Sequence, residues 1–588
     1  MKKLLLIALA LTGLTVNAQY FHHIYGTTDG EKLSSGLNTT TLGLGHFLVG
    51  HAGQNGLAVS RTDVNGDVTG APYFNGWYQI SSSVTGTIVD VAESKCFEMD
   101  NGAGFGIVGQ FTDPSMGTPN TGVFYLQLDP MGNVVNIFTY LPGGGVAFNV
   151  RNVSSVAESV MSGGNEVYVT GSTADASGTR LDAFAMKLDV NSGGLIWSAV
   201  YDINLTSGSG LTSSWDIIES PYANEVVLAG GIREPVFGSR PDGFTLRLDA
   251  NSGNPVANVD LYGTAANTDE FYSISVAAST AGGGDGFVLG GRSDFNGSID
   301  AWVTKVDQNL VTLWTSVFDY NAIPGVENVC HDVIERLNTS GVYEYYAAGY
   351  VRGGLFGSYD IVVEKMDDNG VGVSLGEFTY GDARVDYGVA IDQYDGTGSD
   401  GISVFGFREG ATPPIINGNY DMYLVKAYFN GETPCNQKLV DSWDLPGPKI
   451  YNNAGVGIVD NINPDVQFNW NIAGAHDRTI CFSPFLSSGS NARVAPTETG
   501  DKQAVVSPNP IQAGSNVVEV TIETEIATTA QVAIYDVLGR EYYNGTISLA
   551  KGTNTMPIDI SKANMSAGTY SVRINYNNTN KTILLMVK

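Results

Sequence analysis

Six carboxylates stand where successive stretches of this chain begin a new repeat: Glu31, Asp90, Asp216, Glu270, Asp332 and Asp386. If the fold carries them to one mouth of a closed ring, they form an acidic collar that can hold cations or basic groups of a ligand. The plainer alternative is six solvated acids at the starts of strands. A second candidate is Asp63-Val-Asn65-Gly-Asp67. It follows the opening of a calcium loop, with oxygen ligands at alternate positions, but the later bidentate Glu is missing. Asp, Asn and Gly in a hairpin turn account for the same residues. Gly372-Val-Ser374-Leu-Gly376 spells a nucleophile elbow, a motif that needs a strand before it and a helix after it. Here it falls in a hairpin between two strands. The six histidines, His22, His23, His46, His51, His331 and His476, make no evident constellation with a nucleophile. Neither Cys-x-x-Cys nor His-x-x-x-His occurs, which argues against structural zinc.

The elements that would position these residues come from a repeat of about 60 residues. Its clearest copy reads Asp182-Ala-Phe-Ala-Met-Lys187-Leu-Asp189-Val-Asn191-Ser-Gly193. Related copies begin at Asp242, Asp300, Asp360 and Asp421, and weaker ones end at Asp63 and Asp129. Each copy contains four stretches rich in β-branched and aromatic residues and bounded by Gly, Asn, Asp or Ser. In the third copy these are Val153–Val160, Glu166–Gly171, Ala183–Leu188 and Leu195–Tyr201. Phe184, Met186 and Leu188 alternate with Ala183, Ala185 and Lys187, the period of a strand with two different faces. A glycine closes the second stretch in every copy: Gly50, Gly109, Gly171, Gly230, Gly290, Gly349 and Gly406. It suits a positive φ or a close backbone approach. The recurring Asp and Lys/Arg read as turn caps and ion pairs between units.

Seven four-stranded units at this period describe an all-β, seven-bladed β-propeller. Phe21-His-His-Ile-Tyr-Gly26 reads like the fourth stretch of a unit, as in Leu261-Tyr262-Gly263. The chain's beginning is therefore expected to complete the last blade and cover its edge. Eight blades remain the alternative count. Ala454–Val459, Val466–Gly474 and Arg478–Phe482 would then be strands of a degenerate eighth blade, with Lys438–Leu445 as a further fourth strand.

Composition bounds the rest. With 30 Lys+Arg against 60 Asp+Glu the formal charge is -30. Such a surface disfavours nucleic acid, whose phosphates need cationic partners. Lys2 and Lys3, the apolar run Leu4–Leu11 and the small residues before Ala18 form a signal peptide, with cleavage expected between Ala18 and Gln19. No later stretch is long and apolar enough for a transmembrane helix. In an exported chain the four cysteines allow disulfides. Cys435 and Cys481, both after the last clear repeat, are the candidate pair, and Cys96 and Cys330 are core thiols.

Residues Asp182–Trp197 resemble a bacterial β-propeller repeat of the pattern Asp-x-Phe-x-x-Lys-Leu-Asp-x-x-Gly-x-x-x-Trp. The resemblance covers about residues 20–450 and implies fold, not activity. A second resemblance lies at the other end. Pro508-Asn509-Pro510, the run ending Gly539-Arg540, Gly568-Thr-Tyr570 and the basic close at Lys588 are similar to the type A sorting domain of the type IX secretion system of Bacteroidetes. That implies a small Ig-like β-sandwich, partnership with the secretion machinery, and a secreted or surface-held protein once the tail is removed. The expected domains are thus a signal peptide (1–18), a propeller (19–485), a linker (486–503) and a sorting domain (504–588).

The expected function is a non-enzymatic, secreted or surface propeller that binds glycan or protein in adhesion or gliding. An extracellular polysaccharide-degrading enzyme and a purely structural surface component are the rivals. No cofactor is expected, calcium being the one metal a turn could take.

Overall fold

The computed structural model describes residues 21–482 and 505–587, apart from several connecting segments within them. Contacts divide the chain into two units at the Ser487–Ser488 boundary. The description is all-β.

In the first unit the described residues form seven four-stranded antiparallel sheets. Sheets 1 to 6 span residues 31–82, 90–142, 149–203, 211–262, 269–319 and 328–380. Sheet 7 takes three strands from 386–428 and its fourth from Phe21–Gly26, which pairs antiparallel with Tyr420–Tyr428. The first strand of each sheet touches the first strand of the next, and sheet 7 returns to sheet 1. Asn38 of sheet 1 seals that join, donating from its backbone N to Asp392 Oδ2 at 2.8 Å and from Nδ2 to the Gln393 carbonyl at 2.9 Å. The sheets therefore stand in a closed cycle, completed by the expected strand.

Sheet 3 shows why these sequences pack this way. Its strands are Asn149–Glu158, Glu166–Ala174, Leu181–Asp189 and Leu195–Ile203. On the third strand Phe184, Met186 and Leu188 join a core with Val123 and Tyr125 of sheet 2. Ala183 and Ala185 face the other way, into a core with Phe244 and Leu246 of sheet 4. A large face meets the small face of the neighbour, so both sides of each sheet are buried at close packing.

The recurring glycine serves close approach. A β-carbon on Gly171 would lie 2.1 Å from the Asn152 carbonyl oxygen, and on Gly349 1.9 Å from that of Val329. At these points the first strand bulges, one residue slipping out of register between Val153 and Ser155 and between Cys330 and Asp332. In sheet 5 the same collision, with the Glu270 carbonyl at 1.9 Å, belongs to Gly291. The expectation of Gly290 was one residue early: Gly291 faces Trp302, as Gly230 faces Phe244.

Neighbouring sheets are also latched at their far edges. Fourth-strand tyrosines donate to a carbonyl in the next sheet's turn: Tyr25 to Gly66 at 2.8 Å, Tyr78 to Gly132 at 2.7 Å, Tyr140 to Gly193 at 2.6 Å, Tyr201 to Gly253 at 2.7 Å and Tyr262 to Leu310 at 3.1 Å. By contrast, Lys187–Glu166, Arg247–Glu225 and Lys365–Glu344 pair within one sheet, at 2.6, 2.6 and 3.0 Å. For these three the reading of the repeated cations as links between units is corrected, while Lys305 of sheet 5 lies over the Tyr345 ring of sheet 6. Arg61 and Lys426 do reach a neighbouring sheet, but they bond carbonyls there, of Pro130 and Val64.

The stretch 437–482 forms no eighth sheet. Gln437–Leu439 pairs with the outer strand of sheet 6, Trp443–Pro446 with sheet 5, Ile450–Ala454 with sheet 4 and Val456–Asp460 with sheet 3. Ile462–Pro464, Phe468–Gly474 and His476–Phe482 continue onto sheets 2, 1 and 7. The backbone thus runs round the cycle as a strap, covering one edge after another. Segments this short cannot fold back into a sheet of their own, but each can cap an open edge. Cys481 pairs through its backbone with His22 on this strap. Cys435 lies outside the described residues, as do Ala18 and Gln19. Cys96 and Cys330 are buried free thiols.

The second unit holds a three-stranded sheet (Val505–Ser507, Val517–Thr524, Gly552–Asp559) and a four-stranded one (Thr528–Asp536, Glu541–Leu549, Gly568–Tyr576, Thr579–Val587). Val518, Val520 and Ile558 of the first share a core with Val532, Ile534, Val572 and Leu585 of the second. Tyr570 is buried there, edge-on to Tyr542 at 5.2 Å. Arg540 is exposed at the hairpin, while Pro508, Asn509, Pro510, Gly539 and Lys588 lie outside the described residues.

Removing one latch should be measurable. Tyr201→Phe keeps the packing and loses one buried hydrogen bond, so we expect a loss of about 1 kcal/mol. Chemical denaturation followed by tryptophan fluorescence would read it, and an unchanged midpoint would refute the latch.

Candidate functional site

The bulges converge. The residues they displace are Ser34, Glu93 with Ser94, Ser154, Trp215, Tyr272, His331 and Val389, on the first strands of sheets 1 to 7 in turn. All but Ser94 line one cavity of about 590 Å³ at the centre of the cycle. The rest of its wall comes from the beginnings of first strands (Lys32, Glu270, Tyr387), the ends of second strands (Arg292, Tyr350, Phe407) and the start of a third (Tyr420). It therefore lies toward the end of the sheets where first strands begin.

Half of that wall is aromatic without a break. Ring centroids run from Trp215 to Tyr272 at 5.5 Å, to His331 at 5.2 Å, to Tyr350 at 5.5 Å, to Tyr387 at 4.5 Å, to Phe407 at 4.9 Å and to Tyr420 at 5.2 Å. Lys32 closes this arc, its ammonium 4.9 Å from the Phe407 ring centre. The arc occupies sheets 4 to 7. Across from it, sheets 1 to 3 offer Ser34, His51, Glu93, Lys95 and Ser154.

Charge within the cavity is mostly committed. Glu270 Oε2 accepts from Arg292 Nη2 at 2.8 Å and Nε at 3.1 Å, and from the Tyr272 hydroxyl at 2.8 Å. Lys95 Nζ donates to the Ser34 carbonyl at 2.9 Å. Burial, with help from Lys95, Arg292 and Lys32, pushes His331 down to about 4, so its ring is neutral at physiological pH.

Of the six expected carboxylates only Glu270 lines the cavity, so the structure does not form the acidic collar. Glu31 and Asp386 are fully buried, and Asp386 sits 3.4 Å from Arg408 Nε. Asp90 is exposed at its strand start. Asp216 and Asp332 lie deeper and act as latches between first strands. Asp216 accepts from Ser155 Oγ of sheet 3 at 2.5 Å and from the Ile274 N–H of sheet 5 at 2.7 Å. Asp332 accepts from the Ile391 N–H of sheet 7 at 2.9 Å and from its own neighbour Val333 at 2.8 Å.

In the proposed calcium turn, Asp63 Oδ1 accepts the N–H groups of Asn65 at 2.8 Å and Asp67 at 2.9 Å. Asp129, Asp307 and Asp367 hold their turns in the same way. Among the described residues no group of three or more His, Cys, Asp or Glu is placed to hold a metal ion. Ser374 lies inside the strand Gly372–Tyr380, with no helix after it.

The aromatic arc went unread in the sequence, although its signal was there. Trp215 and His331 directly precede two of the chosen acids. With Tyr272 they fill one repeat position in three successive copies.

Comparison with known proteins bears on the second unit. Residues 505–588 match the family model described as a secretion system C-terminal sorting domain. This tail marks the protein for export by the type IX secretion system and for removal of the tail, with an extracellular or cell-surface destination. Among the described residues no helix is long and apolar enough to cross a membrane. No curated protein sequence matches the chain. Solved structures similar to it include a glycoside hydrolase family 43 arabinoxylan arabinofuranohydrolase from Bacillus subtilis, 12% identical, covering 71% of this chain and 92% of that one at a TM-score of 0.23. Dimeric latent PorU from Porphyromonas gingivalis is 11% identical, covering 79% and 31% at a TM-score of 0.13.

The latch at Asp332 makes stability depend on pH. By surface area it is partly buried, but it lies deep inside the ring and is poorly hydrated, which lifts it to about 7. A carboxyl more easily protonated when folded lends stability that is complete below its unfolded value and lost as pH rises through 7. Melting temperature should therefore fall between pH 5 and 8. Asp332→Asn keeps an acceptor and cannot ionise, so it should recover on the order of 1 kcal/mol at pH 8. Parallel melting curves for variant and parent would contradict this.

Proposed function

We propose that the first unit is a seven-bladed β-propeller that binds a saccharide in its central cavity without turning it over, on a protein exported to the cell surface or its surroundings. One observation carries this reading: an unbroken aromatic half-wall faces a polar half-wall across a single cavity. A sugar ring has the same two-sided character. Its C–H faces pack on aromatic rings, and its hydroxyls need donors and acceptors at the edge. A cavity of about 590 Å³ is in the range that encloses a compact ligand, so it fits a chain end or a short oligosaccharide better than a polymer passing through.

Other ligand classes fit less well. Lys32, Lys95 and Arg292 share the wall, which disfavours a cation despite the arc. A protein partner would need a broad face, and the best-formed feature is concave. Glycoside cleavage by two carboxylates would need an acid and a base free to act, yet Glu270 is engaged by Arg292 and Tyr272.

A glycan array followed by calorimetry on the full-length protein tests the reading. We expect binding to a defined set of glycans, no release of reducing ends, and at least about a tenfold loss in Tyr387→Ala. Binding that survives removal of the arc would place the ligand elsewhere, and turnover would make the protein an enzyme.

A further inference from the structure

Sheet 2 departs from the other six at the point where all seven meet. Every bulge adds one residue to its first strand, but in sheet 2 the unpaired stretch is longer: Glu93 and Ser94 stand against Gly109, between the pairs Ala92–Gln110 and Lys95–Val108. Glu93 is held at φ 46°, one of two non-glycine residues in the left-handed region among those described. A side chain with a β-carbon avoids that conformation, because it crowds the following carbonyl. Such strain persists only where the surroundings impose it, and it gathers at ligand sites. The Glu93 side chain is exposed on the cavity wall and makes no hydrogen bond or ion pair among the described residues.

The next two sheets present unpartnered groups at the matching position. Ser154 is 8% exposed and lines the cavity, and its Oγ has no hydrogen-bond partner in the protein. Trp215 Nε1, on the adjoining first strand, has none either. The three groups differ in kind. A carboxylate only accepts, an indole N–H only donates, and a hydroxyl does both. Buried polar groups left unpaired are costly, so a ligand that pairs them is selected over one that cannot.

We propose that Glu93, Ser154 and Trp215 form the hydrogen-bonding subsite of the cavity, and that they take neighbouring hydroxyls of a sugar at a glycan chain end. Each sugar hydroxyl both donates and accepts, so adjacent hydroxyls can satisfy an acceptor, a hydroxyl and a donor in series. The aromatic arc continues from the Trp215 ring, which puts the stacking surface beside the polar edge. This inference rests on the saccharide reading and adds the residues that read the hydroxyls.

The test uses the full-length protein with glucose, galactose, mannose, xylose, arabinose and their disaccharides, titrated by calorimetry, alongside thermal melting. For a sugar that binds, Glu93→Gly should weaken affinity at least about tenfold, while the melting temperature holds or rises because the backbone strain is relieved. Glu93→Gln, which keeps the backbone and one acceptor, should weaken it less, and Ser154→Ala should weaken it detectably. A deoxy sugar lacking the contacted hydroxyl should lose affinity for the parent but little more for Glu93→Gly. Unchanged affinity in Glu93→Gly and Glu93→Gln, with binding still lost in Tyr387→Ala, would overturn the subsite and leave the stacking reading intact. If none of these sugars binds the parent, both fall.

Discussion

Everything in the first unit depends on one backbone pairing, Phe21–Gly26 against Tyr420–Tyr428. A single four-stranded sheet of this kind cannot stand alone, because its large and small faces are each completed by a neighbour. Seven in a row would leave two apolar faces open. Closing the cycle removes both, but the closing contact joins residues some 400 positions apart, so chain entropy opposes it strongly at first. Taking the last strand from the chain's beginning ties the two ends into one sheet. The strap strengthens the same point, since His476–Phe482 pairs with the other edge of Phe21–Gly26. His22 lies between, bonded through one ring nitrogen to Tyr423 and through the other to Thr433.

Within the closed cycle the joints are repeated but not all of one kind. Tyrosine-to-carbonyl bonds hold the outer edges, and side chains such as Asp216, Asp332 and Ser155 hold the inner ones. Both kinds use neutral carbonyls, hydroxyls or backbone N–H groups as partners. The ion pairs of Lys187, Arg247 and Lys365 stay within a sheet, whereas Arg292 of sheet 5 also reaches Glu327, at the entry to sheet 6, at 3.6 Å. Leu310 shows how firmly the turn geometry is imposed. It adopts φ 67° where other turns use glycine, and its carbonyl still receives the Tyr262 hydroxyl.

How much of this is legible in the sequence follows from what each feature repeats. The period, the strands and the closing segment are written several times over, so one clear copy such as Asp182–Gly193 decodes the weak ones. The sorting domain is legible because several short motifs occur in order. The glycine in sheet 5 was misplaced because Gly290 and Gly291 are adjacent and only the clash with the Glu270 carbonyl tells them apart. The strap was unreadable for a different reason. Its segments of three to seven residues each pair with a distant partner, and nothing local distinguishes an edge-capping strand from a weak sheet. The acids misled because a bulge moves the following residue to the opposite face. The displaced residue turns to the axis, and Asp216 or Asp332 beside it turns into the joint.

That last point explains why this architecture can carry a specific site. The bulge residue is the position that every sheet contributes to the cavity wall. Glycine on the second strand absorbs the backbone approach, and tyrosine on the fourth holds the neighbour, so neither constrains what stands at the bulge. Serine, glutamate, tryptophan, tyrosine, histidine and valine all occur there within one chain. A seven-fold scaffold thus yields an asymmetric cavity, because the bulge positions vary from sheet to sheet. Glu93 stands apart, because the backbone itself is strained there. A position otherwise free to vary has no structural reason to accept strain, which makes that residue the strongest mark of function on the wall.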